Sequence, residues 1–214
     1  DPTQLYEGAK AVYGDEEMRR TYGELLPVPE ARVRTVTDGE RLPLGKRELL
    51  FLDTPGHAYH HYCIIDEEAQ AGFSGDTFGL SYRQLDTSRG AFIFPTTTPV
   101  HVDPAAAHAS IDRLMSYGPQ AMYLTHFSRV TDLPRLAEDL HTGLDRLVAI
   151  AERHAGAGDE RYSRIAGDMR AWLGERLCRH GCTLSEAEVD RVVSMDVALN
   201  TQGLIVWLER QAAA

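Results

Sequence analysis

Apolar residues change their spacing along this chain. Up to about residue 131 they come mostly in short unbroken or alternating runs, and beyond it they recur every three or four positions. The first spacing belongs to strands and the second to helices. In the C-terminal part, Leu133, Leu136, Leu140, Leu144 and Leu147 form one helical stripe, and Ile165, Met169, Trp172 and Leu173 a second. Ser185 and Glu188 have the spacing of a capping box. They open a third helix that carries Val189, Val192, Val193 and Leu199, with Gly203 expected to break or kink it.

Upstream, residues 49–52, 62–65, 71–74 and 121–124 read as strands. The first is apolar throughout, as in a strand buried on both faces. Alternation over residues 32–37 adds a strand before the Asp38-Gly39 turn, and residues 91–94 a short one. Residues 2–26 read as helical, through Leu5, Ala9, Val12, Met18, Tyr22, Leu25 and Leu26, with a break at Gly14-Asp15 and an end at Pro27 and Pro29. Asp103-Pro104 is a helix start, with Asp as N-cap and Pro in the first turn. That helix presents Ala107, Ile111, Leu114 and Met115 and stops before Gly118. Residues 95–99 read as an extended loop. The expected organisation is an α/β domain over residues 1–131 followed by a helical extension over 132–214.

Composition narrows the function. Charged residues make up 25% of the chain and the formal net charge is −10. An acidic surface argues against nucleic-acid partners and anionic membranes, both of which call for a basic face. The three cysteines, Cys63, Cys178 and Cys182, are too few and too odd for a disulfide framework, which points to a reducing, cytoplasmic location. Cys178 and Cys182, four apart, read as small apolar residues sharing a helix face. No run is long enough for a transmembrane helix.

Three segments carry candidate chemistry: Thr54-Pro55-Gly56-His57, Phe73-Ser74-Gly75-Asp76 and Tyr123-Leu124-Thr125-His126. Each closes an apolar or β-prone run with an imidazole or a carboxylate, the ligands of hydrolytic Zn or Fe sites. A ligand set just past a strand end is held rigidly while the loop beyond leaves room for substrate. In order and flanks these segments resemble the metallo-β-lactamase superfamily of metal-dependent hydrolases. The likeness covers roughly residues 1–130. It implies a metallo-β-lactamase-like αββα sandwich, partial here. The family's first motif, His-x-His-x-Asp-His, is not among the nine histidines, and His57 is the first of them. The chain is therefore expected to be the C-terminal portion of such a protein.

The resemblance implies two divalent metal ions, Zn or Fe. His57 would belong to one and His126 to the other, with Asp76 as the bridging, catalytic carboxylate. The absent motif would supply the remaining ligands. Phe127 stands where the family often has Gly. His60, His61, Tyr59 and Thr77 are candidates for substrate contact or for orienting a ligand, and Ser74, Tyr82 and Arg83 for lining the pocket. His101, His108, His141, His154 and His180 read as structural or solvent-facing. The implied activity is attack of a metal-activated water on an ester, thioester, lactone or related bond of a small-molecule substrate. The alternatives are an iron-dependent oxygenase or oxidoreductase of the same fold, and a non-catalytic fragment. The helical extension, or an open sheet edge, is the expected homodimer interface.

Overall fold

The computed structural model describes residues 3, 6–8, 10, 14–97 and 101–213. The chain forms two compact units, Asp1–Val36 and Thr37–Ala214. In the first, helix α1 (Asp15–Tyr22) buries Met18 and ends at Gly23, so Leu25 and Leu26 lie exposed beyond it rather than in a continuing helix. Leu5, Ala9 and Val12 fall outside the described residues. Residues 32–37 do not form the expected strand. Glu30–Arg32 is a 3₁₀ turn and Val33 is exposed. Alternation makes a strand only where a neighbour offers a ladder.

That ladder forms after the Asp38-Gly39 turn. Strand β1 (Arg41–Leu44) pairs with β2 (Arg47–Asp53) across Gly45-Lys46, with Leu44 opposite Arg47. Gly45 has φ 63°, which suits a tight hairpin turn. Strands β3 (Tyr62–Asp66), β4 (Ala71–Gly75), β5 (Ala121–Leu124) and β6 (Ser128–Val130) complete a six-stranded sheet in sequence order. Every pairing is antiparallel except β4 with β5, whose connection contains helix α2 (Pro104–Ser116). Residues 91–94 give only an isolated bridge, Leu80 to Phe94, not a strand.

Register decides what the sheet buries. Leu50, Ile65, Gly72, Met122 and Val130 stand opposite one another in turn, as do Phe51, Ile64, Phe73, Tyr123 and Arg129. The first row and its neighbours Leu52, Cys63 and Leu124 share a core with Ile111 and Leu114 of α2 and with Leu133, Leu136, Leu140 and Leu144 of α3 (Leu133–Arg153). The second row faces the other way, with Phe73 and Tyr123 exposed and their rings stacked at 5.1 Å. Strand β2 is thus buried fully on one face and only half on the other, because helices cover one side.

Helices α4 (Arg161–His180) and α5 (Glu186–Ala213) build a second core with α3 and with Leu80, Leu85, Phe92 and Phe94. Helix α5 runs unbroken through Gly203, which is buried. Cys182 lies beyond the Gly181 cap of α4, so it and Cys178 do not share a helix face. Among the described residues no helix is long and apolar enough to cross a membrane.

Candidate metal centre

Strand β2 runs into the loop that carries His57, and α2 fixes that loop. The Asp103 N–H donates to Gly56 O at 2.8 Å, and the Ser110 hydroxyl to Pro55 O at 2.6 Å. Asp103 caps α2 by accepting from Ala106 N–H at 3.1 Å. Gly56 has φ 131°, and a Cβ on it would lie 2.3 Å from the Ala107 nitrogen. No larger residue fits this close crossing of loop and helix. The imidazole of His57 is thereby held in a largely buried position, 3.4 Å from Thr96 O through Nδ1. Burial holds its pKa below the ordinary histidine value, against the opposing pull of Asp76. The neutral form that results is the one that ligates metals.

Strand β4 delivers Asp76 at the next loop. Gly75 before it has φ 50°, and a Cβ there would lie 2.4 Å from His61 Nε2. His61 accepts the Asp76 backbone N–H on that nitrogen at 3.0 Å. Its Nδ1 must therefore carry the proton. It reaches the Thr77 hydroxyl at 2.9 Å and the Thr54 hydroxyl at 3.1 Å. Burial first, then the neighbouring His57, pushes the His61 pKa down to about 4. His61 thus works as a fixed neutral acceptor that orients Asp76, and Thr77 closes the same network.

Strand β5 ends at Leu124, and the Thr125 N–H donates to Gly75 O at 3.2 Å. This bond ties the His126 loop to the Asp76 loop. Phe127 and Ser128 then take positive φ, 75° and 67°, to reverse the chain into β6. A residue with a Cβ adopts this region at a cost of about 1 kcal/mol or more.

These loops meet at Asp76. Its Oδ2 lies 3.5 Å from His57 Nε2 and its Oδ1 3.6 Å from His126 Nε2. Both distances are too long for good hydrogen bonds. They match the spacing of about 3.4 Å between neighbouring ligands on one tetrahedral ion with bonds near 2.1 Å. Asp76 Oδ1 is buried and has no hydrogen-bond partner. A buried carboxylate oxygen without a protein donor has room in its shell for an ion or an ordered water. Each oxygen serves a different imidazole, as a bridging carboxylate does. Among the described residues no group of three His, Cys, Asp or Glu encloses a common point; the three side chains meet pairwise through the carboxylate. The residues present fit part of a two-metal site.

Residues 2–126 match the family model described as the metallo-beta-lactamase superfamily. The chain belongs to the metallo-beta-lactamase superfamily. Among curated relatives of this superfamily member, the metallo-beta-lactamase fold-containing protein ST1585 of Sulfurisphaera tokodaii is 28% identical over 137 residues, 64% of this chain and 47% of that one. The atrochrysone carboxyl ACP thioesterase nsrC of Aspergillus novofumigatus is 25% identical over 125 residues, 56% of this chain and 34% of that one. The solved structure of ST1585 from Sulfolobus tokodaii superposes with a TM-score of 0.53 at 26% identity, covering 68% of this chain and 51% of that one. The metallo-beta-lactamase family protein TTHA1429 from Thermus thermophilus covers 99% of this chain, including the C-terminal helices, and 60% of its own, with a TM-score of 0.54 at 18% identity. The chain spans about half the length of ST1585 and a third of the thioesterase.

The remaining sequence candidates take other places. Tyr59 stacks on His101 at 4.5 Å and hydrogen-bonds to Arg210 of α5. His60 is exposed. Ser74 is buried, its hydroxyl 3.4 Å from Tyr123 O. Arg83 pairs with Asp86 at 3.0 Å. Two residues missed by the sequence reading border the site from α5. Asp196, whose pKa burial raises, accepts from the Tyr82 hydroxyl at 2.9 Å. Tyr82 in turn meets the Phe127 ring at 5.2 Å. Asn200 ties α5 to residues 95–97, accepting from Thr97 N–H at 2.6 Å and donating to Pro95 O at 3.2 Å. Neither could be found in sequence, because a polar residue inside a helical stripe looks like any other surface position.

Proposed function

We propose that this chain carries the His57, Asp76 and His126 ligands of a metal-dependent hydrolase that opens an ester, thioester, lactone or related bond. The observation that carries the reading is the buried, donor-free Asp76 oxygen, with one imidazole on each side of its carboxylate. The thioesterase among the relatives supports a carbonyl-centred substrate.

Divalent metal at such a site lowers the pKa of bound water and so supplies hydroxide near neutral pH. The chain's residues do the rest. His57 presents a neutral nitrogen because it is buried. Asp76 stays aimed at both imidazoles because His61 holds its backbone N–H, an approach that Gly75 permits by having no Cβ. Tyr82 and Phe127, the latter next in sequence to His126, meet ring to ring at 5.2 Å and form an aromatic pair against which an acyl group would pack. A catalytic metal usually takes three protein ligands, and His57, Asp76 and His126 supply part of such a set.

The test is hydrolysis of a panel of thioesters, esters and lactones. It is run with this chain alone and with any sequence encoded ahead of Asp1 restored, each beside its Asp76→Asn form. Metal-dependent turnover that Asp76→Asn abolishes supports the reading. Turnover that survives Asp76→Asn, or no turnover on any class by the restored protein, overturns it.

A further inference from the structure

Away from this site, α2 and α3 bring together four titratable side chains at two matching spacings. His108 and Asp112 lie four apart on α2, and His141 and Asp145 four apart on α3. The pairs cross between helices. His108 Nε2 is 3.2 Å from Asp145 Oδ1, and His141 Nε2 is 3.1 Å from Asp112 Oδ1. The two rings are parallel to within 3°, with centroids 4.9 Å apart, and their Nδ1 atoms approach to 2.6 Å.

The tautomers follow from the partners. An ionised carboxylate only accepts, so each Nε2 carries a hydrogen. In the neutral imidazole each Nδ1 then holds a lone pair. Two lone pairs facing at 2.6 Å repel unless a shared proton or a metal ion stands between them. An imidazole that donates one ring N–H to a carboxylate and offers the other nitrogen is also how histidine ordinarily binds a metal. We propose that His108 and His141 form an interhelical bis-histidine site for a divalent transition-metal ion, with Zn²⁺ as the representative. Binding at the Nδ1 atoms needs the rings to part by roughly 0.7 Å or more, to the spacing of adjacent Zn ligands. The imidazoles are only 28% exposed, so they are pre-positioned, and Asp112 and Asp145 stay on the Nε2 hydrogens while water completes the shell. An ion here would clamp α2, which holds the His57 loop, to α3.

The test uses the whole chain stripped with a chelator and titrated with Zn²⁺, read by ¹⁵N spectra of the histidine side chains. The expected result is saturable movement of the His108 and His141 Nδ1 signals to metal-bound positions. The same movement should persist in a His57→Ala/His126→Ala background and vanish in His108→Gln/His141→Gln. Asp112→Asn/Asp145→Asn should weaken it by about tenfold or more, as loss of carboxylate partners does at other histidine sites. Nδ1 signals that respond to pH but not to Zn²⁺ would mean that a shared proton alone bridges the rings, and would overturn the proposal. So would equal Zn²⁺ affinity in the His108→Gln/His141→Gln chain. The wild-type spectra decide the matter even if a variant fails to fold.

Discussion

Single residues place the candidate ligands, and two glycines and one histidine do most of it. His61 is the orienting group for Asp76, and replacing it with Phe strips the Asp76 N–H of its acceptor. The expected cost is about 1–3 kcal/mol of folding stability, measured by urea unfolding. His61→Gln, which retains an acceptor, should recover part of it, and equal losses for Phe and Gln would contradict the role. Asp76→Asn keeps the shape but removes the charge, and should weaken Zn²⁺ binding at this site by at least about tenfold. The three ligand candidates were legible because each ends a β-prone run in a short motif. The roles of His61 and Thr77 were legible only as membership of the neighbourhood. Which nitrogen of His61 accepts is fixed by Asp76 and Thr54, residues that only folding brings to it. The pairing of His108 with His141 was hidden for the same reason, 33 residues separating them.

At the scale of elements, the α2 N-terminus against the His57 loop is the junction on which the site depends. Gly56→Ala drives a Cβ into the Ala107 backbone. Backbone has no rotamer to yield, so the expected loss exceeds about 2 kcal/mol, with His57 displaced. A thermal denaturation midpoint equal to that of the parent chain would refute the clamp. On the outer side of α2, Arg113 donates to Asp38 and to Asp53 O, tying the first turn of the sheet to the helix. The Arg113 hydrogen bond, then the Asp53 N–H, holds the Asp38 carboxyl below its usual pKa. The unfolded chain therefore takes up this proton first. The contribution is complete above the ordinary carboxylate pKa and is lost as pH falls through and below it. Asp38→Asn should make acid unfolding less steep in that window, and an unchanged acid-unfolding profile would count against the contact. Strand positions with a buried row were readable from sequence. The run at 32–37 misled because alternation does not say whether a partner strand exists, and β1 and β6 escaped because they are short and mostly exposed edges.

For the molecule as a whole, helices α3 to α5 close over the irregular segment behind the site rather than standing apart from it. Asn200 is the tie, buried among Pro95 and Thr97. Asn200→Leu leaves Thr97 N–H and Pro95 O buried without partners, and should cost about 2–4 kcal/mol, seen as a lower urea midpoint. The outward row of the sheet is the other large-scale feature. Phe73 and Tyr123 stack in the open on strands whose other face is packed. Exposed aromatic sheet surface promotes association. The expected outcome is that the parent chain self-associates in sedimentation runs and that Phe73→Thr with Tyr123→Thr shifts it toward monomer at little cost in stability; a parent chain that stays monomeric would contradict this. The αββα resemblance made helices on one sheet face legible. It could not show which row faced out, since that depends on register between strands.

The central claim is that Asp76 joins His57 and His126 as metal ligands. Side-chain ¹⁵N spectra of the metal-stripped chain, recorded during a Zn²⁺ titration, test it most directly. The account predicts that the Nε2 signals of His57 and His126 move together to metal-bound positions, and that Asp76→Asn removes this response while leaving the His108 and His141 response in place. Nε2 signals of His57 and His126 that do not move with Zn²⁺, or that move equally in Asp76→Asn, would contradict it.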